Sequence, residues 1–432
     1  MKKRFYISLT MASLFLIKSA IAEEVMTIEI TKGVEHAIPI AIVPFQSSGE
    51  LSENTSQIIS DDLESSGYFK TLPVADMPAQ PHDLSGIMFD DWKRMGMDNL
   101  VVGKVENTAA GAHAIEFRLA DVYKGSQLTG LKVMAKPNNL RFVAHQIADV
   151  IYEELIGEPG AFATRIAYVT VKKIGTKKRY QLEMADADGS NPVILLESSH
   201  PILSPVWSPN GRQVAYVSFE KGNSAIYVQT ITTGRRQIVS SGQGINSSPA
   251  WSPDGSKLAM TLSKDGNPEI YIKNLSSNQL TRITNNSAID TEASFSPDGG
   301  SLVFTSDRGG KPQIYQAPVS GGKGRRLTVG MGEYNAGASF SPDGKVLTMV
   351  HRGDAGYQIA VLDLDYQQLN ILTDGHLDES PSFAPNSKMI IYSTIQGGRS
   401  ELAAVSVDGK IQKRLAVHRS EVREPAWGPF VK

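Results

Sequence analysis

The residues with the most obvious chemical potential are aspartates that return at a fixed spacing. Asp254, Asp298 and Asp343 each stand in a Ser-Pro-Asp-Gly segment, and Asn210 takes the same place in an earlier copy. A repeated carboxylate could serve as a general acid or as a metal ligand. Turn formation explains the segment better, because proline presets one backbone angle, aspartate bonds its own backbone and glycine accepts a left-handed conformation. Near-identical copies also argue against catalysis, which needs one asymmetric site, so we expect no catalytic residue and no cofactor.

A second candidate for chemistry is the acidic run from Asp186 to Ser190, followed by Glu197. Its alternating oxygen-bearing side chains are similar to those of a calcium-binding loop. The turn glycine is displaced from the place that such a loop requires, and Pro192 intrudes. Because the matching positions of the repeats described below are ordinary turns, we interpret this run as a hairpin turn and expect no metal site.

A third candidate is a cluster of five cations formed by Lys172, Lys173 and residues 177–179. Taken alone, such a cluster could indicate a nucleic-acid site. It flanks a glycine-containing turn between two apolar runs, and the net charge of the chain is −2. We therefore interpret it as a solvated hairpin loop, and we expect no nucleic-acid partner and no bulk attraction to an anionic membrane.

The elements that must position these residues form an internal repeat. After each aromatic anchor come a turn and short runs rich in Val, Ile, Tyr and Thr, bounded by Gly, Asn, Asp and Ser, which is typical of strands. Four strands in each unit of about 40–45 residues is the period of a propeller blade. The anchors are Trp207, Trp251, Phe295, Phe340, Phe383 and Trp427.

The repeats predict six blades. Five repeats are complete, whereas the last contains only the anchor strand at Trp427. The missing strands match residues 165–170, 180–184 and 193–196, at the start of the array. Pairing of the two ends in one sheet would close the ring and remove its open edges. We predict an all-β six-bladed propeller of four-stranded blades over residues 161–432.

Residues 1–22 have the features of a secretory signal peptide. A basic start precedes an apolar run from Phe5 to Ile17 and small residues at positions 20–22, which predicts cleavage before Glu23. The run is shorter than the ~20 apolar residues of a spanning helix, and no later stretch is long enough, so we expect no membrane insertion. The chain contains no cysteine, which excludes disulfides and a lipid-bearing N-terminal cysteine.

Residues 23–160 show no repeat and are predicted to form a small mixed α/β domain. Glycines end both expected helices, and residues 157–160 form a short linker. No phosphate-binding glycine loop, histidine-rich metal spacing or G-x-S-x-G elbow occurs. Strands are expected at residues 38–44, 99–103 and 114–119, and helices at 54–66 and 139–156.

The extreme N-terminus of the mature chain alternates apolar and polar residues, as a strand does. Met26, Ile28 and Ile30 are the apolar members of this alternation. Such a strand could pair with its own domain or extend the sheet of a partner. The sequence leaves both arrangements open.

Together these features resemble the TolB family of the Tol–Pal cell-envelope system. The resemblance covers essentially the whole chain. It rests on the secretory start, the motifs at residues 40–45 and 66–69, the junction at 157–170, the repeats and the Pro-Ala-Trp-Gly-Pro ending at 425–429.

The resemblance implies a soluble, monomeric and non-catalytic periplasmic scaffold. The propeller would bind the peptidoglycan-associated lipoprotein Pal, and the N-terminal segment would bind the inner-membrane-anchored protein TolA, with other envelope proteins as further candidates. Such a scaffold would support outer-membrane integrity and constriction during cell division. The implied N-terminal binding residues are Glu23, Val25, Met26, Ile28 and Ile30.

The residues also suggest a binding face on the propeller. The connections between blades and the loops between second and third strands open on one face, which we call the loop face; the Pro-Asp-Gly turns lie on the other, the turn face. Long, dissimilar loops on a rigid scaffold are where binding usually occurs. The candidates on the loop face are Asn246, Ser248, Asp290, Thr291, Glu292, Tyr334, Asn335, Asp378, Glu379, Arg423 and Glu424.

These candidates suggest an acidic ring around the channel mouth. We expect a basic rim outside the ring, and together the two would orient a partner. The alternative is that the loop charges are merely solvated. The expected rim consists of Lys221, Lys264, Arg308, Lys311, Arg352, Arg399 and residues 177–179.

Other functional classes remain as alternatives. A propeller hydrolase of the prolyl-oligopeptidase type needs an α/β-hydrolase domain with a nucleophilic serine, for which the chain shows no elbow. A sialidase needs an arginine cluster in the channel, which we cannot locate, and a different order of its aspartate motif. A propeller that binds a small ligand or a metal through Glu292 and Glu424 is the third alternative.

Overall fold

The computed structural model of the protein describes residues 26–32, 36–108, 111–417 and 420–431. The expected signal peptide, together with Glu23 and Val25, lies outside these residues. Within them, no helix has both the length and the apolar character needed to cross a bilayer. The first element is strand β1 (Met26–Lys32).

A mixed sheet with helices on both faces forms the N-terminal unit. Its elements are β2 (Ile38–Ile42), β3 (Gln46–Ser47), α1 (Thr55–Ser65), β4 (Phe69–Thr71), α2 (Phe89–Arg94), β5 (Asn99–Asn107), β6 (His113–Asp121), β7 (Ser126–Ala135) and α3 (Leu140–Ile156). The sheet order is β4-β2-β5-β6-β7, with β3 beside β5. Strands β2, β3, β4 and β5 pair in parallel, and β5, β6 and β7 are antiparallel. This confirms the predicted α/β character.

Local sequence signals explain these elements. Side chains of β2 alternate between two cores: Ile40 packs with α1 and α3, while Ala41 packs with Trp92 of α2. The Asn54 side chain accepts a hydrogen bond from the Gln57 N–H at 3.2 Å and caps α1. Helix α3 ends at Gly157, whose φ of 82° suits a residue without a side chain.

The junction between α3 and the propeller is fixed by Asp149. Its carboxylate accepts hydrogen bonds from the N–H groups of Phe162 at 2.8 Å and Ala163 at 3.1 Å. A β-carbon at position 160 would come within 2.3 Å of Asp149 Oδ1, so Gly160 permits this close approach. Burial raises the pKa of Asp149 to about 6, although both N–H groups oppose that shift.

We expect Asp149→Asn to remove a pH dependence of stability. Because the folded-state pKa is raised, the stabilisation by the protonated carboxyl is complete below about pH 4 and is lost as the pH rises through 6. Relative to the variant, the wild type should therefore lose roughly 2–3 kcal/mol of unfolding free energy between pH 4 and pH 7. Urea titrations of both proteins across this range would measure the difference. Parallel pH profiles would contradict the prediction.

In the part of the propeller that the structure describes, 24 strands form six sheets. The first half contains β8 (Arg165–Ile174), β9 (Lys177–Asp186), β10 (Val193–Ser198), β11 (Ile202–Trp207), β12 (Gln213–Ser218), β13 (Ala225–Thr230), β14 (Arg236–Ser240), β15 (Asn246–Trp251), β16 (Lys257–Leu262), β17 (Glu269–Asn274), β18 (Leu280–Arg282) and β19 (Asp290–Phe295). The second half contains β20 (Ser301–Ser306), β21 (Gln313–Pro318), β22 (Arg325–Arg326), β23 (Asn335–Phe340), β24 (Val346–Gly353), β25 (Gly356–Asp363), β26 (Gln368–Ile371), β27 (Glu379–Phe383), β28 (Met389–Gln396), β29 (Arg399–Ser406), β30 (Gln412–Val417) and β31 (Glu421–Trp427).

The ring closes as predicted. Strand β31 pairs with β8, so the last and first parts of the array share the sheet β31-β8-β9-β10. In this sheet Trp427 lies opposite Ile166, as Trp207 lies opposite Val214 in the next blade. We call this sheet the closing blade. The six four-stranded blades confirm the predicted propeller.

The repeated aspartates stabilise turns, as expected. Asp254 accepts hydrogen bonds from the hydroxyls of Ser252 at 2.5 Å and Ser256 at 2.7 Å. These bonds lower the pKa of Asp254 to about 2. Gly255 follows with a φ of +71°, where a side chain would be strained.

The N-terminal unit packs on the turn face of the propeller. Asn386, in the turn between β27 and β28, donates to the Pro159 carbonyl at 3.0 Å, and Lys388 forms an ion pair with Glu158 at 2.6 Å. Ile411, which follows a tight turn, lies against Gly67. The loop face is therefore on the opposite side of the disc from these contacts.

A buried ion-pair network completes this domain interface. His145, only 1% exposed, lies 2.6 Å from Asp62, and its other ring nitrogen is 3.8 Å from Asp188 in the propeller. Arg141 binds Asp188 as well. Ligand atoms of Asp62, His145 and Asp188 lie within 4.8 Å of one another, but the guanidinium on Asp188 opposes a further cation. The run that resembles a calcium loop lies in the turn between the antiparallel strands β9 and β10, as predicted, and through Asp188 it also holds the two domains together.

Candidate partner-binding face

The inner strand of every blade contains a β-bulge at the same position. At this point the strand register shifts and one residue adopts a φ of 50–63°. Such a φ is uncommon for residues other than glycine, so the fold imposes it. The bulge residues are Ser204, Ser248, Glu292, Gly337, Ser380 and Glu424.

Two bulge residues bring carboxylates into the channel. The Thr305 hydroxyl of the same blade donates to Glu292 Oε2 at 2.9 Å, and the Ser204 N–H of a neighbouring blade donates to Glu424 Oε2 at 3.0 Å. Burial raises the pKa of Glu424, and the nearby carboxylates of Glu379 and Glu292 raise it further. These three glutamates therefore form an acidic cluster near the axis.

The residue two places before each bulge residue is buried. Asn246, Asp290, Asn335 and Asp378 occupy this position, with exposed fractions of 0–2%. Asn246 donates to the Gly242 carbonyl at 2.9 Å, and Asp290 accepts from Arg308 at 2.6 Å. The buried hydrogen bonds of these four side chains fix the conformation of the loops around them.

This burial corrects the expected acidic ring. In a regular strand, alternate side chains point to the same side. The bulge breaks this alternation, so Asp290 and Asp378 point away from the surface. The residue between the buried and the bulge positions varies: Glu379 and Arg423 are exposed, and Thr291 is partly buried. The carboxylates left near the channel mouth are Glu292, Glu379 and Glu424.

The expected basic rim is also corrected, because several of its cations are neutralised by neighbours. Arg308 pairs with the buried Asp290, Lys264 pairs with Asp265 at 2.9 Å, and Lys311 pairs with Glu333. The positive charge of the loop face is therefore much less evenly distributed than the sequence suggested.

The structure shows an apolar set of which the sequence analysis identified Tyr334 only. It lies three residues before the bulge residue in five of the six blades, whereas the closing blade has Glu421 there, and we call it the apolar ring: Pro201, Ile245, Ile289, Tyr334 and Leu377. Ile245 is 46% exposed and Ile289 is 47% exposed. The Ser263 N–H donates to the Ile245 carbonyl at 3.2 Å, and the Ile289 N–H donates to Asp307 at 2.8 Å, which fixes both beside second-to-third-strand loops. Alignment of the repeats by their anchors would have found this position.

Comparison with known proteins decides the family. The family model described as the TolB amino-terminal domain matches residues 26–128, and the TolB beta propeller domain matches residues 152–431. The chain belongs to the TolB family. The resemblance of the motifs is therefore confirmed.

Close relatives of this TolB-family chain span its whole length. The Tol-Pal system protein TolB from Xanthomonas oryzae pv. oryzae strain MAFF 311018 is 53% identical over 436 residues, covering 100% of this chain and 99% of that protein. The Tol-Pal system protein TolB from Xanthomonas campestris pv. campestris strain B100 has the same identity and coverage. A crystal structure of TolB from Acinetobacter baumannii is 41% identical, with a TM-score of 0.87, and the match covers 94% of this chain and 100% of that one. As a TolB-family member, the chain is a periplasmic propeller protein.

The N-terminal strand of this TolB-family protein is paired in a way that the sequence did not indicate. Strand β1 adds a fifth strand to the blade formed by β27–β30. It runs antiparallel to β30, with Ile28 opposite Leu415 and Ile30 opposite Lys413. Lys32 adds a hydrogen bond from its ammonium to the Gly409 carbonyl at 3.1 Å. Of the two arrangements left open, pairing within the chain is the one found, although with the propeller rather than with the N-terminal unit.

Proposed function

We propose that this protein is a non-catalytic scaffold that binds Pal through the loop face and TolA through its N-terminal strand. After cleavage of its signal peptide it would act in the periplasm, supporting outer-membrane integrity and constriction during division. The observation that carries the proposal is the separation of two surfaces. The loop face lies opposite the N-terminal unit, and β1 lies at the outer edge of one blade.

The loop face has the composition of a protein-binding surface. Its apolar ring includes the exposed Ile245 and Ile289 and the partly buried Tyr334, whose ring packs edge-on against Tyr357 with 5.3 Å between ring centres. Aromatic and aliphatic anchors of this kind dominate the energy of protein interfaces. The central glutamates supply charge that can fix the orientation of a partner.

The N-terminal strand suits a partner that accepts an added strand. Strand β1 pairs with β30 through its backbone, and backbone hydrogen bonds can form equally well with the sheet edge of another protein. The segment cannot pair with β30 and with a foreign edge through the same backbone groups. Docking on the last blade and binding of TolA are thus expected to compete.

A cross-strand disulfide tests this competition. Thr27 and Ala416 lie opposite each other in the β1–β30 pair, where Cα separations of about 4.5–5.5 Å permit a disulfide. The natural chain has no cysteine, so Thr27→Cys with Ala416→Cys introduces one bond only. Oxidation should weaken TolA binding at least ~10-fold in calorimetry, reduction should restore it, and Pal binding should change by less than ~3-fold.

Removal of residues 23–34 is the matched variant, since it should abolish TolA binding in either redox state and retain Pal binding. If the oxidised double-cysteine protein binds TolA with unchanged affinity, release of β1 from β30 is not required for TolA binding. Failure of the wild type to bind either partner would overturn the proposed function as a whole.

A further inference from the structure

One hairpin of the loop face is longer than all its equivalents. In five blades the second and third strands with their loop span 18 residues, namely 213–230, 257–274, 301–318, 346–363 and 389–406. In the closing blade the same unit, β8–β9, spans 22 residues, 165–186. The anchor pairs with the second residue of the second strand in every blade, so the extra residues lie at the tip. Two more residues in each strand extend the hairpin by about 7 Å.

The four extra residues together with the turn at 175–176 make up residues 173–178, which we call the basic tip. Three of its six residues are lysines, and Ile174 beside the turn is 58% exposed. The register places Lys173 directly opposite Lys178, and Lys172 opposite Arg179 just below. Like charges in directly opposed positions destabilise a strand pair. An anionic partner would remove the repulsion between Lys173 and Lys178.

The basic tip retains charge that other parts of the rim have lost. Among the ion pairs of the described residues, none involves Lys173, Lys177 or Lys178, whereas Arg308, Lys264 and Lys311 are paired. Arg179 already binds Glu197 at 2.5 Å below the tip. Since the whole chain has a net charge of −2, the positive potential here is local and belongs to one side of the loop face.

We propose that the basic tip is a steering element that contacts an acidic surface on the flank of the protein docked on the loop face. The inference rests on the proposed function, because only a protein bound at the apolar ring would lie beside the β8–β9 hairpin, which extends from the same face. It commits to a protein partner rather than a membrane, because the chain has a net charge of −2 although the tip contributes +3, so the remainder is negatively charged and would be repelled by an anionic bilayer. Charges of opposite sign at the edge of an interface mainly increase the association rate.

The test measures association rates of the full mature protein with Pal lacking its lipid anchor, by stopped flow from low to physiological salt. The variant is Lys173→Glu with Lys178→Glu. The matched control is Lys70→Glu with Lys136→Glu, which makes the same charge change at exposed positions of the N-terminal unit. We expect the tip variant to associate at least ~10-fold more slowly at low salt, with a weaker salt dependence and a dissociation rate within ~3-fold of wild type. The control should associate within ~2-fold of wild type.

The outcomes separate this inference from the proposed function. Wild-type binding with equal rates and salt dependence for both variants would overturn the steering role and leave the proposed function standing. Absence of wild-type binding would overturn both. Sedimentation with phosphatidylglycerol vesicles serves as the second measurement: binding of the wild type that only the tip variant loses, together with unchanged Pal kinetics, would assign the tip to lipid and overturn the proposal.

Discussion

Replacing Arg308 with leucine is expected to lower the free energy of unfolding by about 3–5 kcal/mol, because it leaves the carboxylate of Asp290 buried without its counter-ion. Asp290 is fully buried, and its remaining described partner for Oδ2 is the amide of Asn286 at 2.8 Å. Its Oδ1 has no hydrogen-bond partner. Arg308 also stacks on Tyr315, with 4.8 Å between guanidinium and ring centre, so packing is lost as well. Urea-induced unfolding would measure the loss.

The neighbouring blades provide a control for this prediction. Asn246 and Asn335 occupy the position of Asp290 and are satisfied by amide hydrogen bonds to loop carbonyls. The double variant Asp290→Asn with Arg308→Leu should therefore recover most of the stability lost in Arg308→Leu. Equal stability of the single and double variants would show that the loss comes from packing on the aromatic rings and not from the unpaired charge.

Replacing Ile289 with aspartate is expected to weaken the proposed binding of Pal by at least ~30-fold, or about 2 kcal/mol, with little change in stability. The side chain is nearly half exposed in the apolar ring, so the free protein tolerates a polar group there, whereas an apolar contact with a partner does not. An aspartate three residues before Glu292 also adds to the negative charge of the loop face. Calorimetric titration with Pal would measure the affinity.

Two further variants show which effect is responsible. Ile289→Asn removes the apolar contact without adding charge and should retain most of the loss. Ile371→Asp places the same group at a residue of similar exposure on the outer strand β26 and should leave affinity unchanged. If Ile371→Asp weakens binding as much as Ile289→Asp, the apolar ring is not the contact surface.

Local and repeated signals made most of the fold predictable from the sequence. The aromatic anchors, the turn aspartates such as Asp254 and the incomplete last repeat at Trp427 act within a single blade, so their spacing alone predicts six blades and their closure. Helix ends were predictable for the same reason, since the cap at Asn54 and the stop at Gly157 involve only neighbours in the chain.

The candidate binding face was predictable as a face but not residue by residue. Position along the chain identified the right loops, yet Asp290 is buried while Ile289 beside it is exposed. A bulge with positive φ at Glu292 reorients the strand, and its consequence for each side chain depends on packing between blades. Charge counting also placed Arg308 on a basic rim, although it serves the buried Asp290.

The sequence by itself determined the blade count, the ring closure, the family and the two-domain order, because each depends on patterns that are local or repeated. Only the tertiary structure decided which cations are neutralised, which face the N-terminal unit covers and where β1 pairs. Strand β1 meets β30 across at least 380 residues of sequence, and His145 meets Asp188 only when the two domains pack. Contacts of this kind depend on the assembled shape of the molecule, because no local pattern of residues encodes them.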